Sequence, residues 1–236
     1  MLAVYTHNDL RMYRVTFSDG LSIGCCEDHQ WLLTTGQVVS TKWLLDSDSD
    51  HGGPRITEGT YAVPLTKPIA FDSTPLLCDP YEVGREIASW PVSQQRVPAR
   101  YRYSSIADRQ QLLKGILEDH CTITGETLVY KTYSWQMCKD VRELVESLGG
   151  ICSKKEKIQS RSGYTLAYYE LTLCLPSQFP LVGQDVRRQN GESERQMCRR
   201  FVSIRPISST RGKCLTVDGP SHTYLIDGCC VTHNTL

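Results

Sequence analysis

The sequence predicts two β-strand regions, one at each end of the chain, separated by a mixed α/β segment. Residues 12–17 and 21–26 alternate in polarity on either side of Ser18-Asp19-Gly20, which is the pattern of a β-hairpin. From Asp79 onward the apolar spacing becomes helical, and strand patterns return near the C-terminus. A helical segment that interrupts an otherwise β-rich chain indicates one domain inserted into another.

The N-terminal strand region continues to about residue 70, with Pro64 and Pro68 as breaks. Within it, residues 46–52 superficially resemble a calcium-binding loop. The glycine of this run comes one position late, and Thr57 stands where the loop needs its closing glutamate. We therefore interpret the run as a solvated acidic loop.

The middle segment carries two clear helix patterns. One helix is predicted from about Asp108 to Leu117, and the other is capped by Ser134 and ended by Gly149-Gly150. The strand patterns that follow lie at 157–160, 164–175, 201–204, 214–217 and 224–226, and the polar run 187–195 predicts a loop.

Charge and hydropathy exclude several classes of protein. The 26 basic and 26 acidic residues cancel to a formal net charge of +0, whereas proteins that bind a duplex backbone usually carry a basic excess, so DNA binding is not expected. No apolar run approaches the roughly 20 residues of a membrane span. Residues 1–7 lack the charged and apolar regions of a signal peptide. We therefore predict a cytoplasmic protein with no membrane partner.

The 11 cysteines favour thiols over a disulfide framework, because their number is odd and no secretion signal is present. Cys26-x-x-His29 and Cys230-x-x-His233 each have the spacing of half a zinc site, but neither is completed locally. A zinc-held β domain with these four ligands is an open alternative. Our preferred interpretation predicts no cofactor and no metal.

The residues His233-Asn234-Thr235 can together break a peptide bond. The side-chain amide nitrogen of Asn234 can attack its own backbone carbonyl, closing a succinimide and releasing Thr235. His233 can polarise that carbonyl or protonate the leaving nitrogen, and the Thr235 hydroxyl can carry an acyl group as an ester. A tripeptide of this kind also arises by chance, so the interpretation depends on further motifs.

Such motifs occur in order along the chain. Residues 13–20 followed by Cys26-Glu27-Asp28-His29-Gln30-Trp31 resemble the second splicing block of an intein, with Cys26-x-x-His29 in place of the usual Thr-x-x-His. Residues 214–217 with 221–225 resemble the penultimate block, and 231–234 followed by Thr235 resemble the last block. The chain therefore resembles an intein, a protein-splicing element with an all-β Hint (Hedgehog/intein) fold.

The middle segment resembles a LAGLIDADG homing endonuclease, which implies an α/β insert. Residues 79–84 resemble the lead-in to the first motif helix, and 108–117 resemble the second helix. The metal-binding acids of the two motifs fall on Ser89 and His120. A two-metal phosphodiesterase needs carboxylates to hold its cations.

Three acids lie near these positions in the sequence, Glu86, Glu118 and Asp119. We expect the helices to turn each of them onto a different face, so that none replaces the lost ligands. The endonuclease is therefore expected to be inactive.

The resemblance divides the chain into four parts. These are an N-terminal Hint part at 1–75, the endonuclease-like insert at 76–185, a C-terminal Hint part at 186–234, and downstream extein residues at 235–236. The first splicing block, which normally supplies a Cys or Ser as residue one, is not found in the sequence. We therefore expect the C-terminal piece of a split or truncated intein, acting in trans with an N-terminal intein fragment that carries its own extein.

A sub-type of intein is also indicated. Some inteins lack the first nucleophile and use a Cys of the penultimate block, together with a Trp and a Thr. Trp31, Cys214 and Thr232 fall at those positions. The resemblance implies that Cys214 attacks the upstream scissile carbonyl. The alternatives are a nucleophile in the missing first block, with Cys214 and Trp31 serving only as packing residues.

The remaining roles are also implied by the resemblance. His29, helped by Cys26, polarises the upstream peptide bond, and Thr235 takes over the acyl group. Asn234 cyclises with help from His233 and His222, and the exteins are joined autocatalytically in a single turnover.

The last two residues of the chain indicate a kind of host protein. Thr235-Leu236 after the junction fits an insertion inside the phosphate-loop Gly-Lys-Thr motif of an ATPase. The alternative function from another class is an inactive endonuclease remnant that binds DNA.

Overall fold

The computed structural model describes residues 3–46, 60–72, 75–124, 127–161, 164–176, 197–219 and 221–233. Contacts divide the chain into two compact units. One, called the terminal unit, is formed by Met1–Thr66 with Gln196–Leu236. The other, called the inserted unit, is formed by Lys67–Arg195. The domain boundaries given by the intein resemblance remain predictions, and the acidic run after Asp46 lies outside the described residues.

The described elements are mostly strands with a few helices. In chain order they are β1 (Ala3–Phe17), β2 (Ser22–Cys26), β3 (Gln30–Leu32), β4 (Val38–Ser40), α1 (Thr41–Leu45), β5 (Ala62–Pro64), α2 (Pro80–Ser89), α3 (Ala99–Arg102), α4 (Ile106–Leu117), β6 (Cys121–Thr124), β7 (Thr127–Thr132), α5 (Trp135–Ser147), β8 (Ile151–Arg161), β9 (Tyr164–Cys174), β10 (Cys198–Thr216), β11 (Thr223–Ile226), a 3₁₀ turn (Asp227–Cys229) and β12 (Cys230–His233).

The terminal unit contains two antiparallel sheets. The first has the order β2-β1-β10-β5, and the second has the order β11-β12-β3-β4. Strand β1 pairs with β10 from Ala3↔Thr216 to Phe17↔Phe201, with three register shifts along the way. The predicted separation of strands at 201–204 and 214–217 is therefore wrong, because β1 extends back to Ala3 and gives the intervening residues a partner.

The predicted hairpin at the start of the chain is confirmed, and a buried ion pair fixes its turn. Strands β1 and β2 pair with Met12 opposite Cys26, and Gly20 adopts the positive φ of 82° that the turn requires. The carboxylate of Asp19 accepts from the Leu21 N–H at 3.0 Å and from Arg199 Nε at 2.7 Å. Both charged side chains are 1% exposed. This pair ties the first hairpin to the start of β10.

The second sheet brings the residues after the first hairpin against the end of the chain. Strand β12 pairs with β3 at His233↔Gln30 and with β11 along its whole length. The short helix α1, which the sequence analysis missed, follows β4 directly. Its N-cap is Ser40, whose side chain accepts from the Trp43 N–H at 3.0 Å.

The inserted unit packs helices against one four-stranded antiparallel sheet of order β6-β7-β9-β8. Its core consists of fully buried apolar side chains from the helices and the sheet. They include Ile87, Leu112, Ile116, Met137, Val141, Leu144, Leu171 and Cys152. The predicted N-cap of α5 is confirmed, since Ser134 Oγ accepts from the Met137 N–H at 3.1 Å. Strand β8 starts at Ile151 rather than at the predicted residue 157. Its charged residues occupy an edge strand, where they stay in water.

Helices α2 and α4 cross in direct backbone contact. A Cβ atom at Gly84 would overlap the carbonyl oxygen of Leu112, and one at Gly115 would overlap the carbonyl oxygen of Tyr81. Only a residue without a Cβ allows this approach. The two glycines therefore set the distance between the helices.

Replacing Gly84 by Ala tests this crossing. The added methyl group forces the helices apart, and we expect the free energy of unfolding of the inserted unit to fall by about 2 kcal/mol. The matched control is Gln111→Ala, an exposed position on α4. Urea unfolding and amide hydrogen exchange in α2 and α4 provide the measurement, and an unchanged stability in the Gly84 variant would contradict the close crossing.

Candidate functional site

The terminal unit is organised around the indole of Trp31. This side chain is 0% exposed and packs edge-on against Phe17 and Phe201, with ring centroids 5.7 and 5.6 Å away. Its Nε1–H donates to the hydroxyl of Thr41 at 3.0 Å. The indole is thereby held in one orientation on β3.

The imidazole of His29 lies beside this indole. The two ring centroids are 4.6 Å apart with an interplanar angle of 69°. The backbone carbonyl of His29 accepts two hydrogen bonds from Thr41, from its N–H at 2.9 Å and from its hydroxyl at 3.3 Å. Both the ring and the main chain of His29 are therefore positioned by buried neighbours.

Thr232 on β12 fixes the tautomer of His29. Its Oγ1 lies 2.5 Å from His29 Nε2 and 3.0 Å from the carbonyl oxygen of Gln30. Because a carbonyl can only accept, the single hydroxyl proton goes to Gln30, and Nε2 must carry the proton that Thr232 accepts. In the neutral ring, Nδ1 then keeps its lone pair, and among the described residues nothing else bonds to that atom.

Burial also sets the charge of His29. Desolvation lowers the pKa of this histidine from 6.5 to about 4. The ring is therefore neutral at pH 7, with a proton on Nε2 and an acceptor at Nδ1. A neutral imidazole in one tautomer is suited to accept an N–H on one side while donating on the other.

The two predicted cysteines both lie near the phenol of Tyr224 on β11. Burial raises the pKa of Tyr224, and the thiols of Cys214 and Cys26 raise it further through their charge. Cys26 is buried at the end of β2, whereas Cys214 is partly buried on β10 opposite Tyr5. Tyr224 pairs with Thr232 across β11 and β12 of the second sheet, whereas Cys26 and Cys214 lie on β2 and β10 of the first sheet. Tyr224 therefore lies near both cysteines and also opposite Thr232, the hydrogen-bond partner of His29.

Cys25 differs from its neighbour Cys26. Its pKa is raised to about 12 by burial, against a hydrogen bond with Thr41 that lowers it and with a further increase from Cys26. The Cys25 thiol lies 3.4 Å from the Thr41 hydroxyl. Cys25 is therefore a neutral packing residue, and Cys26 is the member of the pair that lies near Tyr224.

The two predicted histidines near the C-terminus lie together. The rings of His222 and His233 have centroids 6.1 Å apart. His222 occupies a turn with φ of 49°, and its backbone N–H donates to the Gly219 carbonyl at 2.9 Å. His233 ends β12, opposite Thr223 and Gln30. Asn234 and Thr235, which are predicted to follow in the chemistry, lie outside the described residues.

The zinc alternative finds no support in this arrangement. In the described part of the chain, no group of three or more His, Cys, Asp or Glu residues is placed to hold a metal ion. Cys230 is 0% exposed and packs in the core around Trp31, while His29 is bonded to Thr232. Cys26, His29, Cys230 and His233 therefore do not form a four-ligand site.

The inserted unit has a separate depression of about 430 Å³ at the carboxyl ends of α2 and α4. It is lined by Glu82, Arg85, Glu86, Ser89, Asp119 and His120. The expectation that helices turn Glu86 and Asp119 onto different faces is wrong, because the close crossing and the turn after α4 bring both to this depression.

This depression does not fit the metal centre that the endonuclease resemblance implies. Ser89 Oγ donates to the Glu86 carbonyl at 2.7 Å, and the cation of Arg85 shares the site. Glu118 is engaged by Tyr81 Oη and by Arg85 at 3.3 Å. In the part of the chain that the structure describes, the acidic residues and His120 of this depression do not form a group of three or more ligands placed to hold a metal ion.

Two features of the site were not found from the sequence. Thr41 lies outside every predicted motif, and Tyr224 lies inside one of them but has no predicted role. The Ser40-Thr41 pair followed by Lys42-Trp43-Leu44-Leu45 has the form of a capped helix start, which is the signal that could have located Thr41. Tyr224 lies inside the penultimate block without a distinguishing pattern.

Comparison with known proteins gives a partial similarity but does not show a family. No family model matches the sequence. The chain is similar to a replicative DNA helicase DnaB from Mycobacterium intracellulare, with 29% identity over 151 residues, which represent 61% of this chain and 26% of the helicase. The match thus spans about a quarter of that relative. Among the described residues, no helix is long and apolar enough to cross a bilayer.

The pKa of His29 predicts a pH dependence of stability. Folded His29 takes up a proton at about pH 4, whereas the unfolded residue does so near 6.5. Neutral His29 therefore contributes to the free energy of unfolding in full above pH 6.5. This contribution, on the order of 3 kcal/mol, is lost as the pH falls towards 4. Urea unfolding between pH 4 and 7 should show a shallower dependence for His29→Gln than for wild type.

A direct measurement decides the same point. Nitrogen-15 NMR of the His29 ring should show the Nε2–H tautomer at pH 7 and a titration midpoint well below 6.5. A midpoint near 6.5 would show that the ring is not desolvated.

Proposed function

We propose that this chain is the C-terminal part of an intein. Acting with an N-terminal intein fragment, it excises itself and joins the two flanking sequences to each other. The observation that carries the proposal is the hydrogen bond between His29 and Thr232, 203 residues apart and beside Trp31. These residues come from the second-block and last-block motifs. Their direct contact is what a splicing centre assembled from both motifs requires.

The state of His29 suits activation of the upstream peptide bond. Its Nδ1 lone pair can accept the N–H of that bond, and Thr232 holds the ring in the required tautomer. A base with a pKa of about 4 is weak, but once protonated it is a strong proton donor to a leaving nitrogen. His29 therefore acts mainly by orienting the bond, and its Nδ1 can take up the proton released by the Cys214 thiol and pass it to the amine that leaves.

Cys214 is the proposed nucleophile. Its sulfur forms a bond to the upstream carbonyl carbon, the carbon–nitrogen bond breaks, and the thiol proton is passed to the leaving amine. The Thr235 oxygen then displaces the sulfur, giving an ester and a free thiol. Asn234 cyclises and releases the Thr235 amine, which attacks the ester to form the new peptide bond and free the Thr235 hydroxyl.

An open sheet edge supports a partner fragment. Among the described residues, β2 pairs with β1 only from Met12 to Thr16, so the outer edge of β1 between Ala3 and Leu10 has no strand beside it. Val4 and Tyr5 on this stretch are 44% and 56% exposed. An N-terminal fragment that adds as a strand would cover this edge.

The helicase similarity supports a choice of host. The proposed host is a replicative DNA helicase, and this chain would be part of an insertion within the helicase polypeptide. Helicases as a class are driven by nucleotide hydrolysis, which agrees with the phosphate-loop ATPase indicated by Thr235-Leu236.

The proposed splicing is tested by expressing the chain with the residues encoded directly upstream and a reporter in front of them. We expect Asn234→Ala to accumulate a branched adduct that is sensitive to thiols and hydroxylamine. Adding Thr235→Val should leave only the thioester on Cys214, and Cys214→Ala should then remove the adduct. Intact-mass spectrometry follows each species.

The same spectra can contradict the proposal. Wild-type spectra that show neither ligated product nor loss of the Thr235-Leu236 dipeptide over days would rule out splicing. An adduct that persists in Cys214→Ala, with an essential Cys or Ser at the start of the upstream segment, would move the first nucleophile to that segment.

A DNA-binding remnant is the second candidate function, favoured by one face of the inserted sheet. Lys131 and Lys155 lie opposite Glu170 on the neighbouring strands, and Lys157 lies opposite Tyr168 on the same face. Glu170 is paired with Lys157 at 2.9 Å and is mostly buried, which leaves an excess of positive charge on this face. Such a face can follow a phosphate backbone.

This second candidate separates binding from cleavage. Fluorescence anisotropy with a duplex carrying the uninterrupted insertion site should show salt-dependent binding. Lys155→Ala should reduce the slope of the logarithm of affinity against the logarithm of salt concentration by about 1. Lys42→Ala removes the same charge from the terminal unit and should leave this slope unchanged. No cutting is expected with excess magnesium, and specific cutting would show that the motif helices are misaligned.

A further inference from the structure

We propose that Thr41 is a positioning residue for His29, a role that belongs to none of the splicing motifs. The inference rests on the proposed splicing function, since it assigns Thr41 to the upstream step of that reaction.

The hydroxyl of Thr41 uses its full bonding capacity. The side chain is 0% exposed at the first position of α1. It accepts from Trp31 Nε1 at 3.0 Å, lies 3.4 Å from the Cys25 thiol, and contacts the His29 carbonyl at 3.3 Å. An indole N–H can only donate and a carbonyl can only accept, so the hydroxyl proton goes to His29. The second lone pair of the hydroxyl faces the Cys25 thiol.

Thr41 thereby controls two of the contacts that position His29. It holds the His29 carbonyl through both its N–H and its hydroxyl. It also fixes the Trp31 indole against which the His29 ring lies. Two further contacts of His29 do not involve Thr41, namely the Nε2 bond to Thr232 and the backbone N–H bond to the Cys26 carbonyl at 3.3 Å. A shift of the His29 carbonyl and of the indole would move the ring relative to Thr232.

The same bonds limit where Thr41 acts. Among the described residues, the side chain of Thr41 bonds only to Cys25, His29 and Trp31. None of these hydrogen bonds reaches Cys214, His222 or His233. Loss of the hydroxyl should therefore slow the upstream step and leave the downstream cleavage after Asn234 close to wild type.

The test compares Thr41→Val, which keeps the shape but loses the hydroxyl, with Thr41→Ser, which keeps the hydroxyl. In the chain carrying its upstream segment, Thr41→Val should slow thiol-induced upstream cleavage by about tenfold or more, and Thr41→Ser should restore most of that rate. Ser40→Ala is the matched control, because it weakens the N-cap of the same helix without touching His29 or Trp31.

A spectroscopic measurement on the chain alone accompanies the rates. The nitrogen-15 shifts of the His29 ring should report a single Nε2–H tautomer in wild type and Thr41→Ser, and a tautomer mixture in Thr41→Val. Thr41→Cys replaces the valine variant if that variant does not fold.

The outcomes separate the two proposals. A wild-type chain that neither cleaves nor splices contradicts the proposed function, while the tautomer measurement still decides the role of Thr41. Wild-type upstream rates and an unchanged tautomer in Thr41→Val, or in Thr41→Cys where it is used, overturn the inference. Equal slowing by Ser40→Ala, or equal slowing of the Asn234 step, shows that Thr41 supports only the fold.

Discussion

The N–H group of the buried Trp31 indole is the constraint on which the terminal unit depends. Burying an indole of 150–250 Å² contributes roughly 4–6 kcal/mol, whereas a buried N–H without an acceptor costs about 1–3 kcal/mol. The apolar gain is larger, but an unmet N–H would cancel much of it. The Thr41 hydroxyl removes this penalty, and in doing so it fixes the start of α1, the carbonyl of His29 and the ring beside the indole.

The site also requires distant parts of the chain to meet in one sheet. Strands β1 and β10 run together from Ala3↔Thr216 to Phe17↔Phe201, and the ion pair between Asp19 and Arg199 marks one end of this pairing. A pair of charges with 1% exposure each pays a desolvation cost that offsets much of its attraction. Its effect is specificity of register, because a shifted pairing would leave both charges buried alone.

The sequence predicted those features that depend on local pattern. The turn at Asp19-Gly20 and the cap at Ser134 are encoded by short-range chemistry. The meeting of the second and last motifs was expected only from the family resemblance. The continuous β10 and the early start of β8 were missed, because Gly212, Pro206 and the charged run 154–157 are strand breakers or solvent-facing residues whose pairing is decided by a distant partner.

The candidate site was predictable to a similar extent. His29 and Thr232 could be named from their motifs, and the structure places them in contact. The tautomer of His29 and the part played by Thr41 could not be named, since both follow from which carbonyl lies next to which hydroxyl. That information exists only after the sheets have formed.

The glycine contact between α2 and α4 has a consequence for how such a unit changes over time. With backbone against backbone, no side chain lies between the helices, so their separation does not depend on the groups carried at their ends. Ser89 and His120 therefore lie at the ends of a helix pair whose stability does not depend on their side chains. A chemical function at this place can disappear through single substitutions while the folded unit, unaffected, continues to be inherited.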